Sequence, residues 1–357
     1  MLPLPETATA TRKRIAQEYK RLAGTASARI LHVRSGDDIL EKLAQGGVAG
    51  DTMKWADPLC EGPIPPLGDD ARFRRVRAAY LARRYAIPVT EAARELLGED
   101  LRLASSSRYE EIVLWFEADL FDQMILVHLL ARLPGVAGSA RVSLICIGSF
   151  PRVRRFIGLG QLDGGALATL LPRRKPVTPG HARLAREVCA AVQSDDPREL
   201  LPFTTMRSRS LPFLPAALRR YLEEFPRVGD GLSRTERLAL EETAKAGEIA
   251  PIQLFPRVQD RERRPFMGDT MFYAVVHDLT SGPAPLLSMD APAVRSPGEI
   301  SRIPVRLTDD GRRVLRGRAD WRRLNGVGKW IGGVHLRGSG QIWRWSPARG
   351  RVVRAGA

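Results

Sequence analysis

The sequence is short of several things, and each shortage closes off a class of protein. Cysteine occurs three times in 357 residues (Cys60, Cys146, Cys189), scattered and without metal-ligand spacing. That excludes a disulfide framework and a thiolate zinc site, and free thiols in a reducing cytoplasm are the simplest expectation. No apolar run approaches the ~18–20 residues that cross a bilayer. The longest, at 112–116 and 124–127, are core-sized, so no membrane partner is expected. Residues 1–10 lack a basic segment followed by an apolar one, so no secretory leader is expected either. Glycine spacing fails the dinucleotide fingerprint in both places where it is approached. Ser35-Gly36-Asp37-Asp38 lacks three spaced glycines, and Gly158-Leu159-Gly160-Gln161 misses the interval, so neither NAD nor FAD is expected. Walker loops, His-Glu-x-x-His and Gly-x-Ser-x-Gly elbows are likewise missing.

What is present is ordinary globular composition, 44% hydrophobic and 27% charged, at a length that favours two or three domains. The net charge of +16 is uneven. Residues 301–357 hold 14 basic and 3 acidic side chains. A field so concentrated attracts polyanions, and phosphate contacts with counterion release would follow. Only seven of the 56 basic residues are Lys, however, a skew that a GC-rich genome produces whatever the function. Nucleic-acid contact and codon usage both fit the basic end.

Along the chain, residues 1–28 read as a flexible tail with a short basic helix over 11–22. Residues 29–150 alternate short apolar runs with helical periodicity. Strands are expected near 28–33, 52–55, 111–116 and 141–147, and helices near 39–43, 69–85, 88–97 (closed by Gly98) and 119–133. Continuous apolar strands with short connections imply a Rossmann-like α/β domain with parallel strands covered on both faces. Residues 151–230 read as a helical connector. A capping box, Ser233-Arg234-Thr235-Glu236, then opens a different grammar. Three helices, a two-stranded ribbon and a trailing helix over 231–317 give a winged-helix-like α+β module. Its third helix has no Lys or Arg from Pro265 to Gly282, which argues against simple major-groove readout. Residues 318–357 form a basic Trp/Gly-rich tail holding four of the six tryptophans. Stacking on bases is one explanation, and packing back onto the first domain, with the arginines reaching outward, is the preferred one.

Open parallel sheets bind ligands at the carboxyl ends of their strands. The residues there are Gly36, Asp37 and Asp38 after the first strand, Asp57 after the second, and Glu117, Asp119, Asp122 and Gln123 after the third. Arg152, Arg154 and Arg155 follow the fourth. Carboxylates converging from several strands can hold a hard cation such as Mg2+ through Asp37, Asp57 and Asp119, or act as acid and base with Glu117. Gly36, Asp38, Asp122, Gln123, Arg152 and Arg155 are the candidate ligand-binding residues, with the arginines answering a phosphate. His335 becomes a catalytic candidate if the tail packs back onto the cleft. The competing explanation is local, because Asp37, Asp38 and Asp119 each precede a helix, where Asp is a favoured N-cap. His32 and His128 lie in core segments and read as structural.

Three stretches carry a resemblance: Ile30-Leu31-His32-Val33-Arg34-Ser35-Gly36-Asp37-Asp38, Trp55-Ala56-Asp57-Pro58 with Glu61-Gly62-Pro63, and Leu114-Trp115-Phe116-Glu117-Ala118-Asp119-Leu120-Phe121-Asp122-Gln123. Together with Leu307-Thr308 and Gly332-Gly333-Val334-His335, they resemble the bacterial domain-of-unknown-function family 1835. The resemblance implies a bacterial cytoplasmic protein in which these motifs are grouped, and it carries no reaction with it. Members often have His where this chain has Ala118. Two functional classes follow from the residues: a ligand-binding or regulatory protein with a carboxylate-lined cleft and a basic end that meets a polyanion, or a metal-dependent hydrolase or transferase acting on a phosphorylated or nucleotide substrate.

Overall fold

The structure, a computed structural model, describes residues 29–290, 296–338 and 341–355. The tail 1–28 and its expected helix lie outside the described residues. The chain is mixed α/β. Its strands begin with β1 (Ile30–Arg34), β2 (Asp51–Lys54), the two-residue β3 (Gly62–Pro63), β4 (Glu111–Glu117), β5 (Arg141–Ile147) and β6 (Lys175–Pro176). The main sheet has the order β2-β1-β4-β5-β6; its first four strands are parallel, and β6 closes the edge antiparallel.

All seven residues of β4 are buried. Ile112, Leu114 and Phe116 face the larger core, while Val113 and Trp115 face a second one. This period of two inside an unbroken apolar run is the signature of a strand covered on both sides. The second face is covered by α1 (Leu40–Gln45). Then come α2 (Asp70–Tyr85), α3 (Val89–Ala104), α4 (Leu120–Arg132) and α5 (Gly164–Ala168), the last joining α1 over the second core. Helix α3 corrects the expectation that Gly98 closes it. Leu96 and Leu103 on either side of that glycine are both buried. Their packing outweighs the ~1 kcal/mol that a mid-helix glycine costs.

The segment read as a connector forms a layer over α4. Its helices α6 (Pro179–Gln193), α7 (Leu201–Thr205) and α8 (Leu214–Leu222) place Val188, Val192, Leu214 and Leu218 in the same core as Leu126 and Leu130. The second half opens on α9 (Arg234–Ala246), where Ser233 and Glu236 make the reciprocal capping bonds at 3.2 and 2.7 Å. It continues through β7 (Glu248–Ile249), α10 (Pro251–Arg261), α11 (Asp269–Leu279), β8 (Leu287–Met289), β9 (Val305–Leu307) and α12 (Asp309–Leu315). The expected ribbon of two strands gains a third, in the antiparallel order β7-β9-β8. Two residues are too few to show a period, which is why the sequence hid β7.

The tail consists of α13 (Trp321–Asn325), β10 (Gly328–Gly332), β11 (Val334–Arg337), β12 (Ile342–Ser346) and β13 (Arg351–Ala355). It folds back: β10 pairs in parallel with β3, and the Gly333 amide donates to the Val192 carbonyl at 2.8 Å. A Cβ on Gly333 would stand 1.9 Å from the Gln193 carbonyl oxygen, so glycine is required by this contact. Trp321, Trp343 and Trp345 are buried. Arg322 and Arg344 are buried with them, on Glu236 at 2.8 Å and Asp320 at 2.6 Å. These tryptophans are core, not exposed stacking platforms. Among the described residues, no helix is long and apolar enough to cross a membrane.

Candidate functional site

The carboxyl ends of β1 and β4 lie side by side, because Arg34 is in register with Trp115, two residues before Glu117. Arg34 is 5% exposed, and its guanidinium spans three acids. It donates to Asp122 and Glu117, each at 2.5 Å, and to the two Asp38 oxygens at 3.1 and 3.2 Å. Asp122 is held from two further sides, by the Ser35 hydroxyl at 2.5 Å and the Glu117 amide at 2.7 Å. Asp119 caps α4 by accepting the Asp122 amide at 3.1 Å. Gln123 is fully buried and donates to the Glu117 carbonyl at 2.6 Å, which fixes the end of β4.

A loop the sequence showed only as a failed fingerprint closes over this group. The Leu159 amide donates to Glu117 Oε1 at 2.5 Å, and a Cβ on Gly158 would lie 2.7 Å from Glu117 Oε2. Above the rim lies a cleft of about 720 Å3. Gly36, Asp38, Glu117 and Asp119 line one wall, and Phe266, Met267 and Met271 line the other. A nearby contact, from Arg264 to the Ala118 carbonyl at 3.1 Å, ties the second half of the chain to the rim.

Several acids around a single guanidinium in a desolvated place cannot all be ionised cheaply. Burial, reinforced by Asp122, pushes the Glu117 carboxyl up to about 8. Burial, with Asp122 and Glu117 adding repulsion, holds Asp119 well above the usual carboxylate range. Arg34 goes the other way: burial alone would lower it, but Asp122, Glu117 and Asp38 keep it firmly charged. The rim therefore offers two carboxyls that hold their protons more tightly than usual, beside a fixed cation. Such groups can donate or accept a proton, or hydrogen-bond a ligand.

The other expected residues go elsewhere. Asp37 is exposed and pairs with Lys54 at 3.0 Å. Asp57 is buried away from the rim's acids, gripped by Arg77, which also donates to the Glu61, Pro63 and Pro58 carbonyls. The expected cation site of Asp37, Asp57 and Asp119 thus comes apart. The acids whose oxygens do lie within 4.8 Å of one another, among the described residues, are Glu117, Asp119 and Asp122. Two of these already hold Arg34, so the guanidinium stands where a divalent ion would. Arg155 pairs with Asp260 and donates to the Gln259 carbonyl at 2.9 Å, a strut between the halves and not a phosphate ligand. Arg152 is exposed, at a left-handed φ of 65°, and lines neither the cleft nor its rim. His335 stacks on Trp330 at 4.1 Å and hydrogen-bonds Arg337, so the hairpin does not deliver it to the cleft. Cys60 is buried, and burial keeps its thiol well above its usual range. The residue that sequence reasoning missed was Arg34. Its signal was a charged side chain ending an otherwise apolar strand.

No family model matches the chain, and no curated protein does. Among solved structures it is similar to the DNA-binding, cleavage and re-ligation domain of Plasmodium falciparum topoisomerase II, at 10% identity and a TM-score of 0.42. That match covers 79% of this chain and 47% of the other, so it spans about half of that structure's length. A likeness at this level carries no argument about function.

Proposed function

We propose that the protein binds a small polar ligand in the strand-end cleft, and that the rim of Asp38, Glu117 and Asp119 meets the ligand's hydroxyl or amino groups. In this reading the first half is a Rossmann-like domain of the family-1835 type, and 231–317 is a winged-helix-like module that supplies the facing wall. The observation that carries it is the pair of proton-holding acids beside buried Arg34, at the mouth of a cavity of ligand size. Titration calorimetry with the four common ribonucleoside monophosphates tests it. At least one should bind, and Asp38→Asn should weaken that binding roughly tenfold, as the loss of a charge-assisted hydrogen bond does. Binding by none, or binding indifferent to Asp38→Asn, sinks the reading.

A second reading has its own observation. A carboxyl at about 8 suits acid–base catalysis near neutrality, so the same pair fits a hydrolase or transferase acting on a phosphorylated substrate. Mg2+ would enter only by displacing Arg34. If this reading holds, turnover carries a pH limb near 8 that Glu117→Gln abolishes. The basic C-terminal region remains a candidate polyanion contact on charge alone, through exposed side chains such as Arg318, Arg323, Arg349 and Arg354. Absent or salt-insensitive binding to mixed-sequence DNA removes that part.

A further inference from the structure

A second cavity, of about 820 Å3, opens on the other side of Asp119, between the layer 201–220 and the segment 262–264. Its charges can be accounted for one by one. The wall contains three carboxyls and seven guanidiniums. Glu223 is engaged by Arg234 at 2.9 Å, and Glu262 by Arg220 at 2.9 Å and Arg234 at 3.5 Å. Asp119 is the helix cap, whose carboxyl burial holds well above the usual carboxylate range. That leaves Arg207, Arg209, Arg219, Arg263 and Arg264, none of which has a carboxylate partner among the described residues. Arg264 reaches only the Ala118 carbonyl and the face of Phe213. Burial, with Arg263 as the next cause, lowers its hold on its proton.

The buried arginines of the fold are all paired. Arg34, Arg77, Arg220, Arg322 and Arg344 all close on acids, and surface arginines such as Arg155, Arg306 and Arg313 do so as well. What distinguishes the basin is that five guanidiniums without a carboxylate partner among the described residues line one concavity. Like charges in a partly desolvated concavity repel, and an anion relieves that repulsion. Guanidinium matches phosphate oxygens two at a time, and several such forks around one volume suit more than one phosphate group. The volume lies within the range of small-molecule sites. Asp119 lines this cavity and the strand-end cleft alike, so the two are neighbours across one residue.

We infer that this arginine basin is a phosphate subsite, and that the ligand is a small molecule bearing two or more phosphates, of the nucleoside polyphosphate class, whose sugar or base reaches the strand-end cleft. The second half of that statement rests on the cleft reading; the basin itself does not. This also moves the expected anion contact from Arg152 and Arg155 to residues that lie 50 or more positions later in the chain.

The test uses the full chain, with inorganic tripolyphosphate, ATP and a dodecamer of thymidylate as probes in titration calorimetry at low and moderate salt. The basin predicts that tripolyphosphate binds, that moderate salt weakens it, and that the double variant Arg207→Glu/Arg209→Glu weakens it by at least about tenfold. Both positions are exposed, so the variant should fold, and an unchanged melting temperature verifies this. The double variant Arg263→Ala/Arg264→Ala should act in the same direction on the opposite wall. No tripolyphosphate binding, or binding that both variants leave untouched, overturns the basin. Tighter binding of the dodecamer than of ATP, lost in the same variants, overturns the small-molecule assignment in favour of a strand of nucleic acid. If ATP binds no better than tripolyphosphate, the cleft reading fails while the basin stands. If nucleoside monophosphates bind and tripolyphosphate does not, the basin fails and the cleft stands.

Discussion

Replacing Glu117 by glutamine isolates the proton that this site holds. Unfolded, the carboxyl releases that proton near its ordinary 4.5; folded, it keeps it up to about 8. Between those two values the native state binds more protons than the unfolded one, so stability falls as pH rises. The penalty is absent below the lower value and complete above the upper. At 1.36 kcal/mol per pH unit, the window from about pH 5.5 to 8 corresponds to roughly 3 kcal/mol. Glutamine imitates the protonated acid. Its oxygen can still accept from Arg34 and from the Leu159 amide, and its amide replaces the acid hydroxyl beside Gly158. Thermal unfolding at intervals from about pH 5.5 to 8.5 should show the wild type losing several degrees. Glu117→Gln should lose measurably less, the remainder coming from Asp119, which is shifted in the same direction. Identical slopes in the two proteins, or a wild type that gains stability over this window, would refute the reasoning.

Two further outcomes follow from contacts described above. Asp57→Ala strips buried Arg77 of its only carboxylate partner among the described residues and should lower stability by ~3–5 kcal/mol, with nucleotide binding in the refolded fraction unchanged. A loss of binding with intact stability would return Asp57 to the site. Gly333→Ala sets a methyl against the Gln193 carbonyl, and its ~1–3 kcal/mol of overpacking should appear first as faster proteolysis within 318–357, before the sheet domain is cut. Equal cleavage rates would show that the tail does not depend on that contact.

The parallel sheet was legible because a strand covered on both faces must be apolar along its covered length, and 112–116 is. Glu117, Asp119 and Asp122 were legible for a covalent reason: they follow one strand directly, so once its direction is known their place at the rim follows. Asp57 was not legible. What decides its fate is Arg77, four residues from both Phe73 and Leu81 on the inward face of a helix that exposes Arg72 and Arg75, and an arginine at such a position reads as a solvent residue until its buried acid is known. Nor was the arginine basin. Its arginines come from two separate stretches, 207–219 and 263–264, and charge counting by segment divides them between regions. The +11 at the end of the chain drew attention instead, although Arg322 and Arg344 there are internal struts.

The rim also shows why clustered carboxylates should not be equated with a metal centre. A cation site needs oxygens left open toward a common point. Here Asp122 gives one oxygen to Ser35 and the other to Arg34 and the Glu117 amide, while Glu117 Oε1 accepts from Arg34 and Leu159. The raised carboxyls of Glu117 and Asp119 lessen the negative charge that Arg34 has to offset. What stays open is on its outer side: Asp38 at the mouth, and Asp119 between an acid-lined cleft and an arginine-lined basin. A ligand with hydroxyl or amino donors at one end and phosphate at the other matches that polarity. A bare divalent ion does not, because it would have to expel the one buried guanidinium that holds three strand-end acids together.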